Sequence, residues 1–188
     1  MPSSGRGVIY TAIRERFVDE ARISARSVRR FLPDARIVLF TDLQLARTDP
    51  FDEVIRLTSL SAKPHLDKLH CMKNSPFAET LFLDTDTYVC GELSELFELL
   101  AQFDIAMTLD RRYYDDFPPD VGVPGSFCEF NQGVVAFRGS ERMQAMLQAA
   151  LDWAERIRAR TGVSTGDQIP TRLALYSSGL RIAPLPLE

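Results

Sequence analysis

Apolar and polar positions alternate along the chain with two different periods, and the switches between them mark out strands and helices. Residues 7–13, GVIYTAI, are a nearly unbroken apolar run of strand length. From Glu15 to Leu32 the apolar positions Phe17, Ala21, Val28 and Phe31 fall at helical spacing, and Pro33 stops that helix. ARIVLF, residues 35–40, predicts a second strand ending in Thr41 and Asp42, and residues 51–57 with Val54 and Ile55 predict a third. Strand, helix and strand at such short spacing imply parallel pairing through a right-handed crossover. Residues 63–74 read as a short helix around Pro64, and an apolar strand then runs from Thr80 into Asp84. Leu93, Leu96, Phe97 and Leu100 make the next amphipathic helix, with strands at 104–109 and 134–138 after it. Ser140 and Glu141 cap a helix whose stripe of Met143, Met146, Leu147, Ala150, Trp153, Ala154 and Ile157 is a core face. A last helix opens near 165–167, accepts Pro170 in its first turn and ends at Gly179, and a short strand over 180–184 follows. The class this predicts is α/β, a mostly parallel central sheet with helices on both faces.

One segment breaks the rhythm. Residues 110–130 are rich in proline, glycine and aromatic side chains, and long loops in compact domains are disproportionately functional. Tyr113, Tyr114 and Phe117 lie within it. With 188 residues and 45% hydrophobic content, the expectation is a single domain spanning 1–188. A net charge of −4 with dispersed basic residues argues against a nucleic-acid partner. MPSSGRG lacks a signal-peptide apolar core, and no apolar run of membrane-spanning length occurs, so the expected location is cytoplasmic. Cys71, Cys90 and Cys128 have neither disulfide-framework nor zinc spacing and read as reduced thiols.

The chemistry gathers where strands stop. LFLDTDTYV, residues 81–89, ends an apolar strand in Asp84 and Asp86, with Thr85 opposed between them by the strand alternation. Two aligned carboxylates suit a hard cation, Mn²⁺ or Mg²⁺, which keeps its other positions for waters and phosphate oxygens. A single Asp-x-Asp is about what chance supplies in such a chain, so the weight lies in its place at a strand end. In open α/β sheets ligands bind beyond the carboxyl ends of strands. Thr11 and Ala12 end the first strand and Thr41 and Asp42 the second, so these loops and the acids are candidates for one nucleotide cleft. For Thr41 and Asp42 a turn or helix cap is an equal reading.

Lys63 and Lys68 precede the acidic strand at a spacing that can aim an ammonium at phosphate, against the commoner exposed lysine. His65 and His70 read as surface or satisfied histidines in preference to metal ligands. Asn131 and Gln132, in the turn FNQG, carry amides suited to sugar hydroxyls. Asp167 and Gln168 open the last helix, where Asp167 is equally explained as an N-cap. Neither a P-loop nor a strand-linked GxGxxG is present.

As an ordered set, TLFLDTDTYV, FNQGVVAFR and GDQ resemble the GT-A glycosyltransferases, notably family 8 and its nucleotide-diphospho-sugar transferase relatives. The resemblance covers nearly the whole chain. It implies a GT-A, Rossmann-like sheet with a nucleotide-binding half over 1–90 and a sugar and acceptor half over 91–188. Asp84 and Asp86 correspond to the metal and donor ligands, with Thr85 between them in the donor site. Thr11 and Ala12 meet the nucleoside, and Lys68 corresponds to a donor-binding lysine. Asn131 and Gln132 face the transferred sugar, and Asp167 and Gln168 lie near the reacting carbon. The implied donor is a nucleotide-diphosphate sugar, by analogy a UDP-sugar. The acceptor is a hydroxyl of a saccharide, lipid or protein, the expected reaction is hexosyl transfer, and the likeness favours retention of configuration. One departure stands out: family 8 members usually add a histidine ligand near the C-terminus, whereas this sequence stops at LPLE. Either the metal has two protein ligands or the chain is shortened relative to such proteins. Two other readings stay open, a sugar-nucleotide-forming nucleotidyltransferase and a non-catalytic sugar-nucleotide-binding domain. GRGVIY precedes the first strand where a nucleotidyltransferase carries its glycine-rich loop after it, which weighs against the former.

Overall fold

The computed structural model of the chain describes residues 3–60, 64–110, 122–163 and 165–186. The apolar runs become strands β1 (Ser3–Ala12), β2 (Arg36–Thr41), β3 (Glu53–Arg56), β4 (Phe77–Leu83), β5 (Ile105–Leu109), β6 (Phe130–Arg138) and β7 (Ile182–Leu185). The 3.6-period segments become helices α1 (Glu15–Phe31), α2 (Pro64–Lys73), α3 (Ser94–Leu99), α4 (Glu141–Thr161) and α5 (Gln168–Ser178). All seven strands join one sheet in the order β3-β2-β1-β4-β6-β5-β7. β6 runs antiparallel to both neighbours, β4 and β5, and the other pairings are parallel. Because β6 is reversed, its amino end lies at the same sheet edge as the carboxyl ends of β1, β4 and β5.

Strand alternation divides the core between the two faces. Val8, Tyr10, Ile37, Leu39, Leu81, Leu83 and Ala136 pack against Val18, Ala21 and Val28 of α1 and Phe97 of α3. Ile9, Val38, Phe40, Phe82, Val135 and Phe137 pack against Leu69 and Met72 of α2, Met143, Met146 and Leu147 of α4, and Leu175 of α5. Helices therefore cover both faces, as the pattern predicts. Ser140 caps α4 by accepting the Met143 N–H, and Gly179 ends α5 in the left-handed region at φ 67°. Among the described residues no helix is long and apolar enough to cross a membrane.

β1 and β4 begin earlier than expected, at Ser3 and Phe77, and two further departures each have a tertiary reason. The last strand begins two residues later because Arg181 is engaged with Asp104: Asp104 N–H donates to Arg181 O at 2.9 Å and Arg181 N–H to Asp104 Oδ2 at 2.8 Å. FNQG is no turn but the start of β6. Phe130 and Asn131 pair with Leu109 and Thr108, while Val135 pairs with Met107, so the intervening residues form a bulge on β6. Bulges re-aim side chains at sheet rims and beside active sites. Lys63 and the segment carrying Tyr113, Tyr114 and Phe117 lie outside the described residues.

Candidate functional site

The strand ends frame a cleft of about 210 Å³. Thr11 and Ile13 enter it from the end of β1, Phe17 and Glu20 from α1, His65 and Lys68 from α2, and Asp84, Thr85 and Asp86 from the segment after β4. β4 ends at Leu83, and Asp84 begins a turn closed by the Thr87 N–H donating to Asp84 O at 3.2 Å. Asp84 itself is tied to β6, its N–H donating to Gly133 O at 2.8 Å. Both acids thus line one hollow. Strand alternation does not reach these residues, which lie in the turn beyond β4: Thr85 lines the same cleft, its hydroxyl donating to Glu20 Oε2 at 3.1 Å on the α1 side, while Asp84 faces α2.

A charged cluster backs the first acid. Lys68 Nζ lies 3.2 and 3.4 Å from the two oxygens of Asp84 and 2.7 Å from Asp167 Oδ2, and 5.7 Å from the centre of the Phe82 ring. The lysine and Asp167 side chains are only 11% and 9% exposed, and that of Asp84 is 36% exposed. Burial alone pushes the Lys68 ammonium down, but Asp167 and Asp84 outweigh it and hold its pKa above the ordinary lysine value. Burial raises the Asp84 carboxyl above its usual range. Asp167 and Asp86 push the same way, and Lys68 offsets them in part.

Asp167 occupies the N-cap position of α5, yet its side chain makes no capping bond and is instead paired with Lys68. Gln132, 2% exposed, donates through Nε2 to Asp167 O at 2.8 Å and to Thr171 Oγ1 at 2.6 Å, so it clamps the start of α5 to β6. Asn131 Oδ1 accepts the Gly133 N–H at 2.7 Å. A Cβ at Gly133 would sit 3.0 Å from Asn131 Oδ1 and 3.5 Å from Asp84 Oδ2, so only a glycine leaves both side chains undisturbed. Gln168 Nε2 donates to Asp110 Oδ2 at 2.6 Å at the end of β5.

Asn131, Gln132, Asp167 and Gln168 stand behind the cleft lining, and three further candidates of the sequence are apart from it altogether. Ala12 is buried in the core against α1. Thr41 is buried and its hydroxyl accepts the Leu43 N–H at 3.3 Å, and Asp42 Oδ1 accepts the Arg14 N–H at 3.0 Å. Arg14, with φ 83°, leads into α1, so Asp42 holds a strained backbone in place. For this pair the structural role is the observed one. Conversely, Ile13, Phe17 and Glu20 were not singled out by the sequence. Phe17 and Glu20 read as ordinary positions of an amphipathic helix, and only the docking of α1 beside β4 brings them to the acids. His65 lines the cleft and His70 is exposed on the same helix.

Among the described residues no three His, Cys, Asp or Glu side chains converge in a way that would enclose a metal ion. Two neighbouring carboxylates on an open wall nevertheless fit a hard divalent cation that takes its remaining ligands from water and phosphate.

No protein-family profile matches the chain, and no curated protein sequence does. Solved structures do. The glycosyltransferase GlyE of Streptococcus pneumoniae TIGR4 superposes with a TM-score of 0.64 at 19% identity, over 97% of this chain and 46% of GlyE. The galactosyltransferase LgtC, solved with donor and acceptor sugar analogues, gives 0.62 at 14% identity, over 95% of this chain and 72% of LgtC. The bifunctional glycosyltransferase WbbM gives 0.61 at 14% identity, over 96% of this chain and 38% of WbbM. The chain thus spans less than half the length of GlyE and WbbM. It has the fold of these glycosyltransferases, the GT-A arrangement.

Proposed function

We propose that the chain is a metal-dependent glycosyltransferase that moves a sugar from a nucleotide-diphosphate sugar, a UDP-sugar, to an acceptor hydroxyl. The observation that carries this reading is the convergence of Asp84 and Asp86 on one cleft at the carboxyl ends of β1 and β4, in a fold shared with GlyE, LgtC and WbbM. Asp84 and Asp86 would hold Mn²⁺ or Mg²⁺. Such a cation, when bound, neutralises charge on the departing diphosphate and orients it.

The chain's own residues supply the rest. Ile13 and Phe17 offer an apolar wall beside Thr11 for the nucleoside. Lys68, fully charged at neutral pH, locks the Asp84 carboxylate from behind and adds positive potential near the diphosphate. Asp167, held by the same ammonium and by the Gln132 clamp, stands ready to face positive character at the anomeric carbon. Asn131 and the Gln168–Asp110 pair would supply donors and acceptors for hydroxyls of the transferred sugar.

Turnover of UDP-glucose, UDP-galactose and their N-acetyl forms, assayed with and without Mn²⁺, tests the proposal. Asp84→Ala and Asp86→Ala should each lower metal-dependent turnover by at least about 100-fold, since a Lewis-acid metal contributes several kcal/mol to such a barrier. Full activity in both variants overturns the metal assignment. Saturable UDP-sugar binding by the wild type without any turnover would instead make the chain a binding module.

A further inference from the structure

The segment that carries the two acids is gripped along its length by a row of polar side chains on α1, a half-buried glutamate followed by two buried serines. Glu20, Ser24 and Ser27, at positions i, i+4 and i+7, form one stripe of the helix. Glu20 accepts from the Thr85 hydroxyl at 3.1 Å, Ser24 Oγ meets Thr87 Oγ1 at 2.9 Å, and Ser27 Oγ accepts the Val89 N–H at 2.9 Å. Every second residue after Asp84 is therefore held. Asp84 to Thr87 form a turn, and from it Thr85, Thr87 and Val89 meet partners four and then three residues apart on one face of α1. The stripe takes Thr85, Thr87 and Val89 and leaves Asp84 and Asp86 to the cleft they line.

The hydroxyls form a directed chain. The Thr87 hydroxyl donates to Asp84 O at 2.8 Å, so its oxygen must accept from Ser24. The Ser24 proton is then used, and Ser24 Oγ accepts in turn from the Tyr10 hydroxyl at 2.9 Å. Each group has one proton to give, and the relay runs from Tyr10 in β1 through α1 to the backbone of Asp84. Tyr10 and Ser24 are fully buried and Ser27 nearly so, on a helix face that otherwise packs Val18, Ala21 and Val28 against the sheet. Alanine would fill a packed helix face as well as these serines. Their hydroxyls answer to the loop.

We infer that Tyr10, Ser24, Ser27 and Thr87 are positioning residues that set the geometry of the Asp84–Asp86 turn for a divalent cation and a nucleoside diphosphate. The inference rests on the function proposed above, and its test separates the two. Calorimetric titration of UDP in the presence of Mn²⁺ is compared for the wild type, Thr87→Val and Thr87→Ser, together with amide hydrogen exchange over residues 84–89. Thr87→Val should bind at least tenfold more weakly, about 1.4 kcal/mol, with faster exchange at 84–89. Thr87→Ser should restore both. Thr80→Val removes a comparably buried hydroxyl bond, to Ser75 at 2.7 Å, from the far end of β4. It should lower the melting temperature yet leave affinity unchanged. Ser27→Ala, which frees the Val89 N–H and removes the bond from the Ser27 hydroxyl to Ser24 O at 2.6 Å, carries the same expectation as Thr87→Val in case that variant does not fold. Wild-type binding that Thr87→Val and Ser27→Ala match within twofold overturns the inference. A wild type that binds no UDP overturns the glycosyltransferase reading, and unchanged exchange at 84–89 in the variants overturns the positioning role independently of it.

Discussion

The two walls of the cleft are held by different physics. On the α1 side the Asp84–Asp86 turn hangs from neutral hydroxyls and one exposed-edge glutamate, with bonds of 2.8–3.1 Å to backbone and side chain alike. On the α2 and α5 side, one ammonium stands between two carboxylates, close to the Phe82 ring. The hydroxyl side holds the backbone, which decides where the carboxylates are. The charged side holds one carboxylate itself, which decides how it is oriented and how readily it stays ionised. Neutral hydrogen bonds contribute roughly 0.5–1.5 kcal/mol each and little field. A buried ion cluster contributes a strong field and a large penalty if broken. A site that must grip a cation has use for both, a firm scaffold and a charge left wanting a counterion.

The contrast is sharpest if the lysine is removed. Lys68→Met should destabilise the fold by about 3–5 kcal/mol, because Asp167 and Asp84 then face each other without a counter-charge; urea unfolding checks it. The sign with pH follows from the raised Lys68 pKa. Its stabilisation is whole below the ordinary lysine value and is lost as pH rises through the higher folded-state value, so on the alkaline side the deficit of the variant should narrow only in strong alkali. Tyr10→Phe, at the head of the hydroxyl relay, should cost about 1 kcal/mol, roughly 2–4 °C in a calorimetric scan. A loss as large as that of Lys68→Met would erase the distinction between the two walls.

The smallest effect has the opposite sign. Asp84 is a carboxylate whose folded-state pKa is raised, so between its unfolded and folded values the native state binds more protons, and stability falls as pH rises through that window. Asp84→Asn should therefore melt slightly above the wild type at pH 7 without metal, the gap closing as acidification protonates Asp84 in the wild type. An asparagine variant that melts well below the wild type at pH 7 would mean that Lys68 more than compensates Asp84. A gain in stability at the cost of cation binding is the trade expected of a functional carboxylate.

Much of the scaffold is legible along the chain because its signals are local. The apolar runs at 7–13, 35–40 and 81–83, the Ser140 cap, the core stripe of α4 and the stop at Gly179 each depend on neighbours within a few residues, and each is found where the pattern places it. The position of Asp84 and Asp86 at a strand end is of the same kind. FNQG reads locally as a turn because a bulge is visible only against the partner strand, here β5. For Asp167 the local pattern leaves cap and site readings level, because the N-cap position is a local property, whereas its bond to Lys68 is not.

Period and punctuation along the chain thus determined an α/β sheet flanked by helices and put two acids at the end of its central strand. Only the folded chain decided what stands behind those acids: the reversal of β6, which carries Asn131 and Gln132 to the cleft edge, the packing of α2 and α5, which brings Lys68 to Asp167, and the docking of α1, which sets Glu20 and Ser24 against Thr85 and Thr87. The reason is that hydrophobic periodicity specifies which face of an element is buried, but the element buried against it, and hence every contact between distant residues, is settled by the global packing of the sheet and its helices.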